Sequence, residues 1–517
     1  MVLDFKNEQE LDFSLPEHKQ GMLDAFARID AEKGSEYPLI VNGERIMTEK
    51  KTTVISPSTK EVLGYMSSCD EATADLAIKT ADEAYVKWGI TPVEERITCI
   101  RRLTALLKRD RYYFDALNVE ENGKNWGEAD GELCEAIDFF NSYCMFMREL
   151  AGGIELVPNE HEENQCVYIP LGVGVALPPW NFPLSIMAGM VISAVITGNT
   201  VVLKPASNTP ITAYKFVELC EEAGIPKGVI NFIPGSGGVI GDFLTRHPLT
   251  RFVNFTGSKA VGTHINSQIA DMIEGQKWIK RIVAEMGGKN AIIVDSSADL
   301  DKAAEGIVTS AFSLQGQKCS ACSRAIVMSD IHDELVEKIV ERASYMLENQ
   351  GSGRDNAPMG AVIDQHAYDT IMGYIDVARE EGEIVYGGHG SDEKGFYIEP
   401  TVVTGIKRTD RIAQEEIFGP VLAVIKVDSF DEALDIANDT EYGLTGSVYT
   451  KDRQQIQRAK VEFHVGNLYF NHKSTGALVL NHPFGGFNMS GTDAKTGTKG
   501  YLMNFLNLKS ICETLEY

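Results

Sequence analysis

At 517 residues the chain exceeds what one ordinary core can serve, so two or three separately buried interiors are expected. With 44% hydrophobic and 24% charged residues it has the composition of a folded globular protein. A formal charge of −26, with no long basic run, argues against nucleic acid or an anionic membrane as partner and obliges any anionic group on a substrate to find local donors.

In chain order, the N-terminus MVLDFKNEQELDF carries acids where an export signal would carry a basic head, so none is expected. From about residue 70 to residue 150 the apolar positions follow helical spacing, as in EATADLAIKTADEAYVKW and EERITCIRRLTALLKRDRYYFDALNVEE, and amphipathic helices are predicted. The most apolar stretch, Val173 to Ile196, is interrupted by Pro178, Pro179, Asn181 and Pro183 and reads as buried core, not as a membrane span. From Val173 onward short β-rich runs alternate with helices: GVGVALP, a helix near 184 to 197, NTVVLKP, a helix near 211 to 224, GVINFIP, then RFVNFTGS. That rhythm predicts a parallel sheet of βαβ units. A second series, NAIIVD, CSRAIVM, IVYGG, YIEPTVV and VLAVIKV, separated by helices such as HDELVEKIVERASYML, predicts a second α/β lobe. The site should lie between the lobes. Nine cysteines, at 69, 99, 134, 144, 166, 220, 319, 322 and 512, are scattered without dense pairing and fit a reducing cytoplasm.

Three places carry candidate chemistry. Gly235-Ser236-Gly237-Gly238 follows a predicted strand, with Gly241 in the next helix. Its spacing is not GxGxxG, so ordinary turn chemistry competes with phosphate binding. A second such turn, Phe255-Thr256-Gly257-Ser258, favours the phosphate reading, because helix amides and a serine hydroxyl can hold one. Cys319, in GQKCS, sits among small and polar residues where a helix is expected to open, and a helix N-terminus would lower its thiol pKa. A buried structural cysteine, or redox work with Cys322 in the CxxC, remains open; no metal site is expected, since no second cysteine pair or histidine cluster accompanies them. Glu285 stands at a predicted strand end before Gly287 and Gly288, placed for a general base or for mere solvation.

Together these residues resemble the aldehyde dehydrogenase superfamily, in one order over roughly residue 38 to the end: PWNFP at 179 to 183, GNTVVLKPAS at 198 to 207, FTGS at 255 to 258, EMGGKN at 285 to 290, GQKCS at 316 to 320, EEIFGPV at 415 to 421 and PFGGFNMSG at 483 to 491. The resemblance implies an α/β fold with a Rossmann-type cofactor domain (residues 1–148 and 171–286), an α/β catalytic domain (287–486) and a small β oligomerisation arm (149–170 and 487–517). It implies that Cys319 attacks the aldehyde to give a thiohemiacetal, whose oxidation by NAD leaves a thioester. Glu285 would activate the hydrolytic water, with Asn181 and the Cys319 amide stabilising the oxyanion. Lys204 would reach the adenosine ribose, Ser258 the pyrophosphate and Glu416 the nicotinamide ribose, with Trp180 and Phe418 lining the cofactor cleft beside the Gly235 and Gly238 turn. Ser207 stands where many NAD-specific members place a glutamate, so NAD is expected to work and NADP to be tolerated.

Within that family, GQKWIKRIVAEMGGKN, GQKCSACSR, EFHVGNLYFN and STGALVLNHPFGG resemble the branch that oxidises L-glutamate γ-semialdehyde, the 1-pyrroline-5-carboxylate dehydrogenases of proline breakdown. Gly476 and Ala477 form a small-residue turn able to offer amides to an α-carboxylate, and Ser320 adds a hydroxyl. By the same resemblance Phe182 and Phe484 would sandwich the aliphatic stem and Glu135 would meet the α-ammonium group, unless it pairs with a lysine. His482 is expected in a loop away from substrate. The preceding oxidation would fall to a separate protein. The competing readings are another small aldehyde, such as succinate semialdehyde or betaine aldehyde, a protein that has kept the fold without the activity, and a thiol redox protein. A β-hairpin near 150 to 170 and the C-terminal tail are expected to join subunits into a dimer or an assembly of dimers.

Overall fold

A seven-stranded sheet forms the first lobe of the computed structural model, which describes residues 5–515; residues 1–4 and 516–517, at the ends of the expected domain and arm, lie outside them. Its strands lie in the order Arg281–Glu285, Thr250–Thr256, Val173–Leu177, Thr200–Leu203, Ile230–Phe232, Leu39–Val41 and Glu44–Ile46. The first five run parallel, and the last two add an antiparallel edge. The strands from Val173 and from Thr250 are neighbours although two strands separate them in the chain. Connections therefore leave in opposite directions between them, and a ligand crevice opens beyond their carboxyl ends. Those ends run into Pro178 to Asn181 and into Gly257 and Ser258.

The second lobe is another seven-stranded sheet, ordered Glu383–Tyr386, Thr401–Thr404, Val421–Val427, Cys322–Met328, Asn290–Val294, Thr445–Tyr449 and Asn467–Phe470. All its pairings are parallel except the first. Its central strands are buried on both faces, as near-continuous Val and Ile runs require. The first sheet ends at Glu285 and the second begins at Asn290, so only Met286 to Lys289 link the two sheets at this point.

The helix Glu71–Trp88 spans the predicted run, opened by Asp70, whose side chain accepts from the Thr73 amide. The long run from Glu94 is instead two helices, Val93–Arg109 and Arg111–Asn122, meeting at Asp110. The apolar stretch after Val173 contains the helix Ser185–Ile196, buried nearly all round between the first sheet and the helix Trp126–Ala151. YIEPTVV is broken into Tyr397–Ile398 and Thr401–Thr404, since Pro400 lacks the N–H a continuous ladder needs.

The expected local hairpin near 150 to 170 is formed only in part: Asn159 bridges Glu162 antiparallel and the Ile154 amide donates to the Cys166 carbonyl at 3.0 Å, but no regular strand precedes Glu162. Helix Trp126–Ala151 extends into that range, and Glu162–Pro170 pairs antiparallel with Leu506–Thr514 from the far end of the chain. Residues preceding Leu506 pack back on the body: Phe487–Asn488 pairs with Tyr442–Gly443, and Lys499–Met503 lies on the helix Trp126–Ala151. Among the described residues no helix is long and apolar enough to cross a membrane.

Candidate active site

Cys319 does not open a helix. The helix Leu300–Phe312 ends in a tight turn in which Leu314, Gln315 and Gly316 all take positive φ, at 49°, 56° and 70°. Cys319 follows in a second turn, just before the strand Cys322–Met328. Tertiary bonds hold it there. Asn290 Nδ2 donates to the Cys319 carbonyl at 2.7 Å and to that of Ala321 at 2.9 Å, while its Oδ1 accepts from the Thr445 amide at 2.9 Å. Gln317 Oε1 accepts from the Ile363 amide, and the Gln317 carbonyl accepts from Asn181 Nδ2 at 2.9 Å. Asn181 is thus tied to the chain two residues from the thiol, with its second amide hydrogen free for an oxyanion.

The thiol pKa moves opposite to the helix-based expectation. Burial first, then the Glu416 and Glu285 carboxylates, push Cys319 up to about 12. No helix terminus offsets them, so Cys319 rests as a thiol and could act as a nucleophile only by handing its proton to a base. Glu285, the last residue of the strand Arg281–Glu285, is 8% exposed and neither of its oxygens makes a formed hydrogen bond. Burial drives its pKa well above the ordinary glutamate value, outweighing the pull of the Gly486 amide and the Lys495 ammonium. Its carboxyl rests in a cradle without side chains: a Cβ at Gly485 or Gly491 would come within 3.2 Å of it. The PFGGFNMSG stretch supplies both glycines.

Glu416 also acts on the thiol. Its Oε1 accepts from the Gly288 amide at 3.0 Å, and a Cβ at Gly287 would overlap its Oε2. Burial raises its pKa to about 7. Nearby, Trp180 and Phe418 meet edge to face, ring centroids 5.5 Å apart at 81°. Lys204 donates only to the adjacent Pro205 carbonyl, at 3.1 Å, and burial lowers its pKa to about 8. It faces the start of the helix Gly237–Arg246, where a Cβ at Gly237 would stand 3.9 Å from its Cε. Ser236 places no side-chain cap on that helix, so the Gly237 and Gly238 amides beside an unpaired ammonium stay open, while the Val239 amide donates to the Ser236 carbonyl. Gly235 is buried behind this turn and Gly238 is exposed at its front. Ser258 caps its own helix, Lys259–Ala270, through the Val261 amide, and its hydroxyl hydrogen remains available. Ser207 is exposed and adds no negative charge. An unpaired cation, open helix amides, an aromatic pair and a buried carboxylate in one crevice fit a dinucleotide.

At the opposite end, Ser474 couples the turn of Gly476 and Ala477 to the nucleophile: its hydroxyl donates to the Ser320 carbonyl at 3.3 Å, and its amide donates to Ser310 Oγ at 3.0 Å. Gly476 is exposed at φ 78° with Lys473 against it; Ala477 is half-buried, and Ser320 is 9% exposed. Phe182 and Phe484 are both half-buried, Phe182 beneath the Lys124 ammonium at 4.4 Å. Glu135 is half-buried on the helix Trp126–Ala151, and burial lifts its pKa to about 7. Lys124 forms its ion pair with Glu132 and not with Glu135. His482 turns into its own loop, where Nδ1 accepts from the Leu478 amide at 3.2 Å.

The aldehyde dehydrogenase family model matches residues 46–511. The chain belongs to the aldehyde dehydrogenase family. It is 50% identical to a 1-pyrroline-5-carboxylate dehydrogenase of Geobacillus thermodenitrificans over 515 residues, 99% of this chain and all of that one. Against 1-pyrroline-5-carboxylate dehydrogenase 2 of Bacillus subtilis the identity is 48%, with 99% of this chain and all of that one covered. Among solved structures, the 1-pyrroline-5-carboxylate dehydrogenase from Thermus with bound NAD superposes with a TM-score of 0.97 at 43% identity, covering 99% of each chain. Betaine aldehyde dehydrogenase of Staphylococcus aureus, in complex with NAD+, gives 0.89 at 29%, covering 96% of this chain and 98% of that one.

Several residues of this aldehyde dehydrogenase site escaped the sequence reading. Asn290 and Gln317 clamp the nucleophile loop, yet a polar residue at a strand start gives no sign of which carbonyl it will meet. Arg324, 1% exposed, donates to the carbonyls of Lys289, Ile436 and Ala437. Lys289 is 1% exposed with an unpartnered ammonium; burial first, and Arg324 next, lower its pKa to about 7. Cys322 is buried, and its sulfur donates to the Arg324 carbonyl.

Proposed function

We propose that this aldehyde dehydrogenase oxidises L-glutamate γ-semialdehyde, the open form of 1-pyrroline-5-carboxylate, to L-glutamate in proline degradation, using NAD and tolerating NADP. The observation that carries the substrate choice is the Ser474 bridge. It couples a turn with free amides, Gly476 and Ala477, to the residue beside the nucleophile, so an α-carboxylate can be held at a set reach from the thiol. Phe182 and Phe484 flank the aliphatic stem, Ser320 adds a hydroxyl, and Glu135 meets the α-ammonium group.

Cys319 Sγ adds to the aldehyde carbon while its proton passes to Glu285 or a water beside it. The new oxyanion is met by Asn181 Nδ2 and the Cys319 amide. A bound nicotinamide dinucleotide supplies the two-electron oxidation of the adduct. Lys204, Ser258 and the amides of the Gly235 to Gly238 turn would hold its adenosine and phosphate end, with the neutral Ser207 admitting a 2′-phosphate. Glu416 and the Trp180–Phe418 pair would hold its nicotinamide end. Once the proton taken from Cys319 has passed to solvent, the Glu285 carboxylate takes a proton from water, the hydroxide attacks the thioester carbonyl, and Glu285 returns the proton to Cys319 Sγ, which leaves as a thiol.

On this reading residues 1–148 with 171–286 hold the cofactor and 287–486 carry the nucleophile. Residues 149–170 with 487–517 join subunits of a dimer-based assembly through the strands Glu162–Pro170 and Leu506–Thr514. Free cysteines, the exposed Cys512 included, support work in a reducing cytoplasm. Truncation at Phe505 should lower the mass seen by light scattering; an unchanged mass removes the arm from the assembly.

The deciding assay follows reduced-nicotinamide absorbance with 1-pyrroline-5-carboxylate, succinate semialdehyde and propanal, each with NAD and with NADP, beside a Cys319→Ala control. Efficient turnover of the first alone, with a dead control, supports the reading. A clear preference for another aldehyde removes the roles given to Ser320, Gly476 and Ala477.

A further inference from the structure

The segment ahead of the first helix is extended and makes specific bonds to the helices under the substrate end. The Leu11 amide donates to Asp130 Oδ2 at 2.7 Å, Arg111 Nη2 donates to the Gln9 carbonyl at 2.8 Å, and Lys108 Nζ pairs with Glu8 at 2.5 Å. Asp138 accepts from both the Glu8 amide, at 2.8 Å, and Asn7 Nδ2, at 2.7 Å. Asn7 Nδ2 also donates to the Val479 carbonyl at 3.0 Å, across 472 residues of sequence. Val479 is two residues beyond Ala477, and Asp138 lies one turn from Glu135 on the helix Trp126–Ala151. One amide nitrogen therefore ties Val479, beyond the turn assigned to the α-carboxylate, to Asp138, one helical turn from the group assigned to the α-ammonium end. Phe5 and Phe13 pack on the core that contains Val479 and Phe139, fixing the segment on either side of Asn7.

This strap lies ahead of the residues that the family model matches. The family model starts at residue 46, whereas the Geobacillus relative aligns over 99% of this chain. We infer that the segment Asn7 to Leu11 is a specificity device, and that Asn7 is a positioning residue which holds the Gly476–Ala477 turn at its working distance from Glu135. The selection it makes is for aldehydes carrying an α-amino acid end; this rests on the substrate reading above. Ser474 fixes the near end of the turn from the nucleophile side, and Asn7 fixes its far end. A turn that presents backbone amides to a carboxylate loses affinity when either end is free to drift.

The test is Asn7→Ala in the full chain, beside Lys6→Ala, whose side chain is exposed, as control. KM for 1-pyrroline-5-carboxylate should rise about tenfold, the scale of two lost hydrogen bonds. The kcat should hold within about twofold, and kcat/KM for propanal should be unchanged; Lys6→Ala should behave as the parent. Amide hydrogen exchange should quicken in the peptide spanning 474 to 482 and stay constant in 322 to 328. Equal losses on both aldehydes, or unaltered exchange at 474 to 482, overturn the strap while leaving the substrate reading intact. A parent enzyme without preference for 1-pyrroline-5-carboxylate over propanal overturns both.

Discussion

Glu285 and Glu416 both act on one thiol, and what distinguishes them is what each oxygen touches. Glu285 rests against glycines with no formed hydrogen bond, and burial raises its pKa, which makes its carboxylate a stronger base; Glu416 is fixed by the Gly288 amide. Glu285→Gln should therefore leave the first turnover of reduced nicotinamide as a burst and cut the steady rate by about 10² to 10⁴, because only thioester hydrolysis needs the base in its second role. Loss of the burst as well would assign proton removal from Cys319 to Glu285 alone. Glu416 loses its proton as pH rises through about 7, and only the carboxylate is a full acceptor for ribose hydroxyls. KM for NAD should then fall as pH climbs from 6 to 8, and Glu416→Gln should flatten that profile. A KM that rises over the same interval would remove Glu416 from cofactor binding.

At the scale of elements, the link Met286 to Lys289 matters more than its length suggests. It joins the end of the first sheet to the start of the second while passing beneath the nucleophile loop. A Cβ at Gly288 would stand 2.5 Å from the Cys319 carbonyl oxygen and 2.8 Å from Asn290 Oδ1, so the loop and its clamp must both move. Gly288→Ala should fold, with both sheets intact by circular dichroism, and lose at least about tenfold in kcat, since displacement of a reacting atom by a fraction of an ångström is costly. Unchanged kcat would mean that the loop can shift without displacing the thiol. At this scale the sequence was legible where spacing is local: Glu71–Trp88, Cys322–Met328 and Val421–Val427 match their predicted runs. It was not legible at Cys319, because the three positive φ values before it include two on non-glycine residues that no turn rule favours. Nor was it legible in the arm, whose strand partner is more than three hundred residues away.

For the whole molecule the net charge of −26 opposes every anionic ligand, and the crevice answers with few cations, Lys204 foremost. The field falls off over the Debye length, about 30 Å at 0.01 M and about 8 Å at 0.15 M salt. NADP carries two more negative charges than NAD, so raising salt over that range should increase kcat/KM for NADP more than for NAD. A ratio that falls instead would mean that local cations, and not the global field, govern the 2′-phosphate.

What the sequence determined by itself was the aldehyde dehydrogenase family, from an ordered set of motifs, and two α/β lobes from alternating periodicity. Those features depend on residue types and near neighbours, which a linear string records. The tertiary structure decided the upward shift of the Cys319 pKa, the resting cradle of Glu285, the Asn290 clamp and the Asn7 strap. Each depends on burial or on a partner from a distant part of the chain, and neither desolvation nor a long-range hydrogen bond leaves a periodic trace in sequence.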